Sequence, residues 1–372
     1  MKARSGADYL LPDKKLPIGK SNEWKEYCEE EILETPFGPL SIHIQGKRGL
    51  TPIVTLHDIG MNGPSQFVNF FAMDEMHKIM EHFCAYHVTA PGQQEGSKTF
   101  TSTDKFPNVD EMADIVDFVI DQLRLVRVIG FGVGMGAHIM AKTALFYPAK
   151  FIAVVLLNCV CTAGGWAEWA NTKLAAFQMR NGTLTQGVLN SLVIHHLGYE
   201  SSETRTDLVS QLTEYFKANL NPINYSRLID MYSKRTQLAV ERNELHRKDY
   251  PNFSCPVMNV TSDYSPYLDD AVEFNGRLDP TNSAFIKLAE CGGLILVEQP
   301  NRFAEAFLYF LQGMGYVANL SISANALASR THQKIIQERL TKARSKTMCM
   351  ASLAANGRFN NTNLTKQQPK EV

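Results

Sequence analysis

The chain has 372 residues, 44% of them hydrophobic, and a formal net charge of −1. That is enough for one large core with an inserted subdomain, or for two domains, and it excludes a disordered chain over most of the length. Charge is segregated: nine Lys/Arg against two Asp/Glu beyond residue 320 make that stretch net +7 and leave −8 before it.

Residues 1–30 begin polar, without the apolar segment of a secretory signal, and read as an N-terminal extension. No later run approaches the roughly 18 apolar residues of a membrane helix. The seven cysteines are odd in number and scattered, with neither a CxxC pair nor metal-ligand spacing. A cytoplasmic chain with no metal, no other cofactor and no nucleic-acid partner is the expectation.

Strands are predicted at Pro39–Gly46, Pro52–His57, Ala85–Thr89, Arg127–Phe131, Ile152–Leu157, Pro256–Thr261 and Phe285–Ala289, from alternating or continuous apolar runs. A helix is predicted from Asp110, with Met112, Ile115, Val116 and Val119 on one side. Alternation of the two predicts an α/β fold with a mostly parallel central sheet flanked by helices.

Between the fourth and fifth strands the chain reads Gly132-Val133-Gly134-Met135-Gly136. Strand, glycine-rich turn and helix form the G-x-S-x-G nucleophile elbow of an α/β-hydrolase, whose strained middle position carries the serine. Here that position is Gly134, and no serine occurs between Ser102 and Ser191. The turn also satisfies G-x-G-x-x-A, so a dinucleotide site is a competing reading. Against it, the turn follows several earlier strands, and the next strand ends in Asn158 where an acidic ribose ligand is expected.

From Thr162 to about Lys248 strand signals vanish, which predicts a helical cap inserted at 162–248 into a core of 31–161 and 249–318. Its expected apolar anchors are Trp166, Trp169, Leu174, Phe177, Tyr215, Phe216, Tyr225, Leu228 and Tyr232.

The other parts of a hydrolase site are sparse. Asp263, just after the sixth predicted strand, stands where a triad acid orients an imidazole, though a turn or helix-cap role is equally open to it. Gly293 in Cys291-Gly292-Gly293 takes the place of the base, and no histidine lies between His246 and His332. In the oxyanion region, His57-Asp58-Ile59-Gly60 sets a carboxylate where backbone N–H groups should meet developing negative charge. His57 and Asp58 then pair with each other or with the cap. The alternative is a hydrolase with a relocated nucleophile or an acid/base pair built from His57, Asp58 and Asp263.

Residues 319–372 read as a basic tail, with a helix over Asn325–Lys346 and a disordered end. Anionic lipid or acidic partners are its possible contacts. Lys342 and Arg344 precede Thr347 by five and three positions, which makes Ser345 and Thr347 expected phosphorylation sites.

Taken together, His57-Asp58-Ile59-Gly60-Met61-Asn62, Ala90-Pro91-Gly92-Gln93-Gln94, the Gly130–Ala137 turn, Trp166-Ala167-Glu168-Trp169 and Gly313-Met314-Gly315-Tyr316 resemble the N-myc downstream-regulated (NDRG) family. The resemblance implies an α/β-hydrolase-like fold with a helical cap and no demonstrated hydrolase activity. It also implies a cytoplasmic role in differentiation, stress response, signalling or vesicle traffic through protein partners. The tail lacks the serine-rich decapeptide repeats of some members.

Overall fold

The computed structural model describes residues 23–179, 181–242 and 251–320. The chain divides after Leu320, and the tail sites Ser345 and Thr347 lie outside the described residues.

Eight strands make one sheet: β1 (Cys28–Thr35), β2 (Gly38–Gly46), β3 (Thr51–Leu56), β4 (Phe83–Val88), β5 (Val128–Val133), β6 (Phe151–Leu157), β7 (Val257–Ser262) and β8 (Ser283–Leu288). Their spatial order is β1-β2-β4-β3-β5-β6-β7-β8. The β1/β2 and β2/β4 pairs are antiparallel and all others parallel. Each predicted strand is present. β1 was not foreseen, and it begins inside the segment read as an extension. Its Glu29, Glu30 and Glu31 hide the apolar alternation, and Arg48 pairs with Glu29 and Glu31 to offset their charge.

Among the described residues, ten α-helices of six residues or more accompany the strands: α1 (Asp74–Met80), α2 (Val109–Gln122), α3 (Met135–Phe146), α4 (Trp166–Gln178), α5 (Gln186–Leu197), α6 (Tyr199–Thr204), α7 (Thr206–Asn219), α8 (Pro222–Ser233), α9 (Leu268–Arg277) and α10 (Pro300–Gly313). Shorter helical turns fall between some of them. The α2 helix starts at a complete capping box, Asn108 with Glu111, which satisfies N–H groups that its first turn leaves open.

Strand β5 shows why helices cover the sheet as they do. Phe131 sits edge-on to Phe67, Phe71, Phe303 and Phe307, so one face of β5 is filled by aromatic rings, two of them from α10. On the other face Gly130 and Gly132 carry no side chain, and α3 descends onto them. A Cβ on Gly132 would stand 2.5 Å from the Ala137 Cα. Period-2 alternation thus assigns bulk to one layer and close helix approach to the other.

Between β6 and β7 the insertion is helical, from α4 to α8. Phe216 and Leu228 are fully buried, and Tyr215, Tyr225 and Tyr232 nearly so, in agreement with the expected anchors. The remaining four are not anchors: Trp166 is 80% exposed, and Trp169, Leu174 and Phe177 also face outward. Helix α4 packs on α8, with Lys173 paired to Asp230, and its less exposed positions carry small or polar side chains, Glu168, Thr172, Ala175 and Ala176. Glu168 there holds Arg235 bidentately. Apolar spacing marked a real stripe on α4, but the polar stripe proved to be the inner one.

Candidate functional site

Strand order reverses at β3, which pairs with β4 on one side and β5 on the other. Open α/β sheets bind ligands at such a switch point, outside the strand ends. Leu56 of β3 lies opposite Gly132 of β5, so two residues further on Asp58 and Gly134 emerge side by side.

Gly134 keeps the strained elbow backbone, with φ 54° and ψ −114°. The space a nucleophile would occupy is filled from the loop that follows the neighbouring strand β3. A Cβ built on Gly134 would lie 2.2 Å from the Asp58 carboxylate. Asp58 Oδ1 accepts from the N–H of Ile59 at 2.8 Å and from the N–H of Met135 at 2.9 Å. One donor follows the nucleophile position and the other belongs to the loop after β3, which is how elbow hydrolases build an oxyanion hole. The Asp58 carboxylate therefore occupies that hole as an internal anion.

Its other oxygen faces the cap. Asp58 Oδ2 is 2.8 Å from His195 Nε2 and 3.9 Å from His196 Nδ1. Both histidines stand on the last turn of α5, which begins at the Thr185 cap and ends at Gly198, φ 78°. A Cβ at Gly198 would run into the Tyr264 carbonyl, so the helix stops where its two rings reach the cleft. His195 Nδ1 also hydrogen-bonds the Tyr267 hydroxyl. His196 Nε2 is 3.0 Å from the Ile59 carbonyl. A carbonyl only accepts, so Nε2 carries the proton.

These contacts set the charges. Burial acts to raise the Asp58 carboxyl, but His195, His196 and the Met135 N–H outweigh it and hold the group at about 2. Burial, aided by neighbouring His195, lowers His196 to about 4 against the pull of Asp58 and the Ile59 carbonyl. Burial, then the charge of Asp58, keeps the Tyr267 hydroxyl protonated. At neutral pH the cluster holds a carboxylate and a neutral His196.

The remaining residues singled out from sequence lie elsewhere. His57 is fully buried; its Nδ1 donates to the Asp58 carbonyl at 2.7 Å and its Nε2 accepts from the Ala90 N–H at 2.9 Å. Both ring nitrogens are thus used in bracing two loops, and burial lowers the ring to about 4. Asp263 pairs with Lys287 at 2.6 Å and accepts from the Glu290 N–H, and no imidazole is among its described partners. His57, Asp58 and Asp263 do not form one acid/base group. At Gly293 a Cβ would lie 2.4 Å from the His196 carbonyl, so α5 occupies the room of the absent base.

His195, His196 and Tyr267 were not foreseen from sequence, because a hydrolase base belongs near Gly293 and these residues lie outside that stretch. The adjacent pair His195-His196 on a cap helix was the available signal. The cleft between cap and core therefore does hold imidazoles, contrary to the vacancy that Gly293 and the lack of a nearby histidine had led one to expect.

A family model described as "Ndr family" matches residues 30–318. Protein NDRG3 of Xenopus laevis is 38% identical over 308 residues, which cover 82% of this chain and 80% of that protein. Protein NDRG4 of Xenopus tropicalis is 35% identical over 335 residues, covering 89% and 79%. Among solved structures, an esterase from Thermogutta terrifontis aligns at TM-score 0.62 and 14% identity over 77% of this chain and 99% of that one. The enol-lactonase from Burkholderia xenovorans aligns at 0.60 and 13%, over 76% and 100%. At such identities the structural matches show the α/β-hydrolase fold alone. No described helix is long and apolar enough to cross a membrane.

Proposed function

The chain belongs to the Ndr family, and on that premise we propose that it is a non-enzymatic interaction protein built on a hydrolase scaffold. Its setting on this reading is cytoplasmic, in differentiation, stress response, signalling or vesicle traffic. One observation carries the non-enzymatic part: Asp58 fills the oxyanion hole above Gly134. Acyl transfer needs those two N–H groups free to stabilise a tetrahedral oxyanion, a contribution of about 3–4 kcal/mol per donor. A carboxylate already bound there repels such an anion. With no hydroxyl at residue 134, both the attacking group and the stabilising site are withdrawn.

The scaffold then offers surfaces, and residues 319–372, net +7, offer a charged segment for acidic partners or anionic lipid. Phosphorylation at Ser345 or Thr347 would subtract about 1.5–2 charges from it and weaken such contacts.

The purified chain is expected neither to label with a serine-directed fluorophosphonate nor to hydrolyse short-chain aryl esters above the protein-free rate. Turnover that disappears on changing Asp58 or His195 would overturn the reading and make the Asp58–His195–Tyr267 line a catalytic one.

A further inference from the structure

His196 and Asp58 face one another with no hydrogen bond between them. The His196 proton is committed to the Ile59 carbonyl through Nε2, so Nδ1 turns a lone pair toward Asp58 Oδ2, 3.9 Å away. That is beyond hydrogen-bond length. Two buried electron-rich atoms at that spacing are electrostatically poor neighbours in isolation. His195 Nε2 adds a third atom, 2.8 Å from the same oxygen, and all three lie within 4.8 Å of one another.

We propose that Asp58 Oδ2, His195 Nε2 and His196 Nδ1 form a binding site for a divalent first-row transition ion, with zinc as its best-fitting member. Two imidazoles and a carboxylate are a frequent ligand set for Zn²⁺, which takes nitrogen at roughly 2.0–2.1 Å in tetrahedral geometry. Tetrahedral bonds of that length place ligand atoms roughly 3.3 Å apart, and the observed 2.8 and 3.9 Å bracket this value. Opening the shortest spacing and drawing in the wider ones, none above 4.8 Å, admits the ion.

Each ligand is also held from behind, as metal ligands are. Asp58 Oδ1 accepts two backbone N–H groups, His196 Nε2 donates to Ile59, and His195 Nδ1 meets Tyr267. When the ion takes His195 Nε2, that ring changes tautomer and its Nδ1 proton is donated to the Tyr267 oxygen. The cysteine spacings had indicated no metal, and none of these ligands is a thiol.

The ion would fasten α5 of the cap to the loop after β3. It would sit beside a filled oxyanion hole, so the inference stands whether or not the chain is an enzyme.

The test uses the full chain stripped with a chelator at pH 7.5 and titrated with Co²⁺, followed by displacement with Zn²⁺. One Co²⁺ per chain is expected, with visible d–d bands of nitrogen/oxygen coordination and no sulfur-to-metal charge-transfer band in the near ultraviolet. Zn²⁺ should raise the melting temperature. His195→Ala and Asp58→Asn should each lower affinity at least tenfold. Tyr267→Phe keeps all three ligands and should still lower it about tenfold or more. This third variant serves if the first two do not fold. Absence of saturable binding, a thiolate band, or unchanged affinity in any folded variant of the three overturns the site.

Discussion

Gly134→Ser is the substitution that would restore a serine to the elbow, and its cost can be worked from the site. The new Cβ would arrive 2.2 Å from three atoms of the Asp58 carboxylate, far inside van der Waals contact. Asp58 must leave, giving up the N–H groups of Ile59 and Met135 and its pairing with His195. Hydrogen bonds to a charged group contribute about 1.5–3 kcal/mol each, with overlap between them. Strain of a non-glycine residue at φ 54° adds about 1–3 kcal/mol. A loss of about 4–8 kcal/mol follows, comparable to the whole stability of many domains. Asp58→Ala clears the space beforehand, so in its background Gly134→Ser should cost only the strain. Urea unfolding of wild type, both single variants and the double variant measures the coupling, expected at about 2 kcal/mol or more. Additive effects within about 0.5 kcal/mol, or a Gly134→Ser chain within about 1 kcal/mol of wild type, would refute the placement of Asp58.

Two further outcomes follow from burial. Burial first, with smaller charge effects, lowers His57, His138 and His196 to about 4 and His87 to about 3. Their folded values lie below the unfolded 6.5, so their stabilisation is present above pH 6.5 and is lost as pH falls toward 4. Asp58, at about 2, adds a loss between roughly pH 4 and 2. The urea midpoint should be flat above pH 7 and fall by pH 5, with roughly 1–2 kcal/mol from each ring; an unchanged midpoint at pH 5 contradicts neutral buried rings. On the cap, Trp166→Ser should alter stability by less than about 0.5 kcal/mol because the ring is 80% exposed. Phe216→Ala, at a fully buried position, should cost about 3–5 kcal/mol by the same unfolding assay. Reversal of that order would turn the apolar stripe of α4 inward, as first expected.

The sheet was legible because buried parallel strands are near-continuous apolar runs, and the elbow because its glycines answer local demands. Gly132 must let Ala137 approach, and Gly134 must take a positive φ. Strand β1 was not legible, since its three glutamates are tolerated only through pairing with β2 and the charge of Arg48, neither visible locally. Helix α4 misled for a related reason: periodicity reports a stripe, and only the partner decides which stripe turns inward. The cap histidines were illegible by position, being 137 and 138 residues from Asp58 in the chain and joined to it only by the fold.

Asp58 couples two properties that are separate in an open hydrolase. The carboxylate that fills the oxyanion hole is also the one that holds His195 of the cap. Emptying the hole requires the carboxylate to swing away from Met135 and Ile59, and that motion cannot leave the short contact with α5 intact. Lifting α5 in turn strips the carboxylate of its imidazole neighbours, giving up a hydrogen bond to a charged group of about 1.5–3 kcal/mol. Access to the elbow and detachment of the cap are therefore one event in this chain. A ligand reaching Gly134 must compensate that loss, whereas a partner binding the outer surface of the closed cap need not.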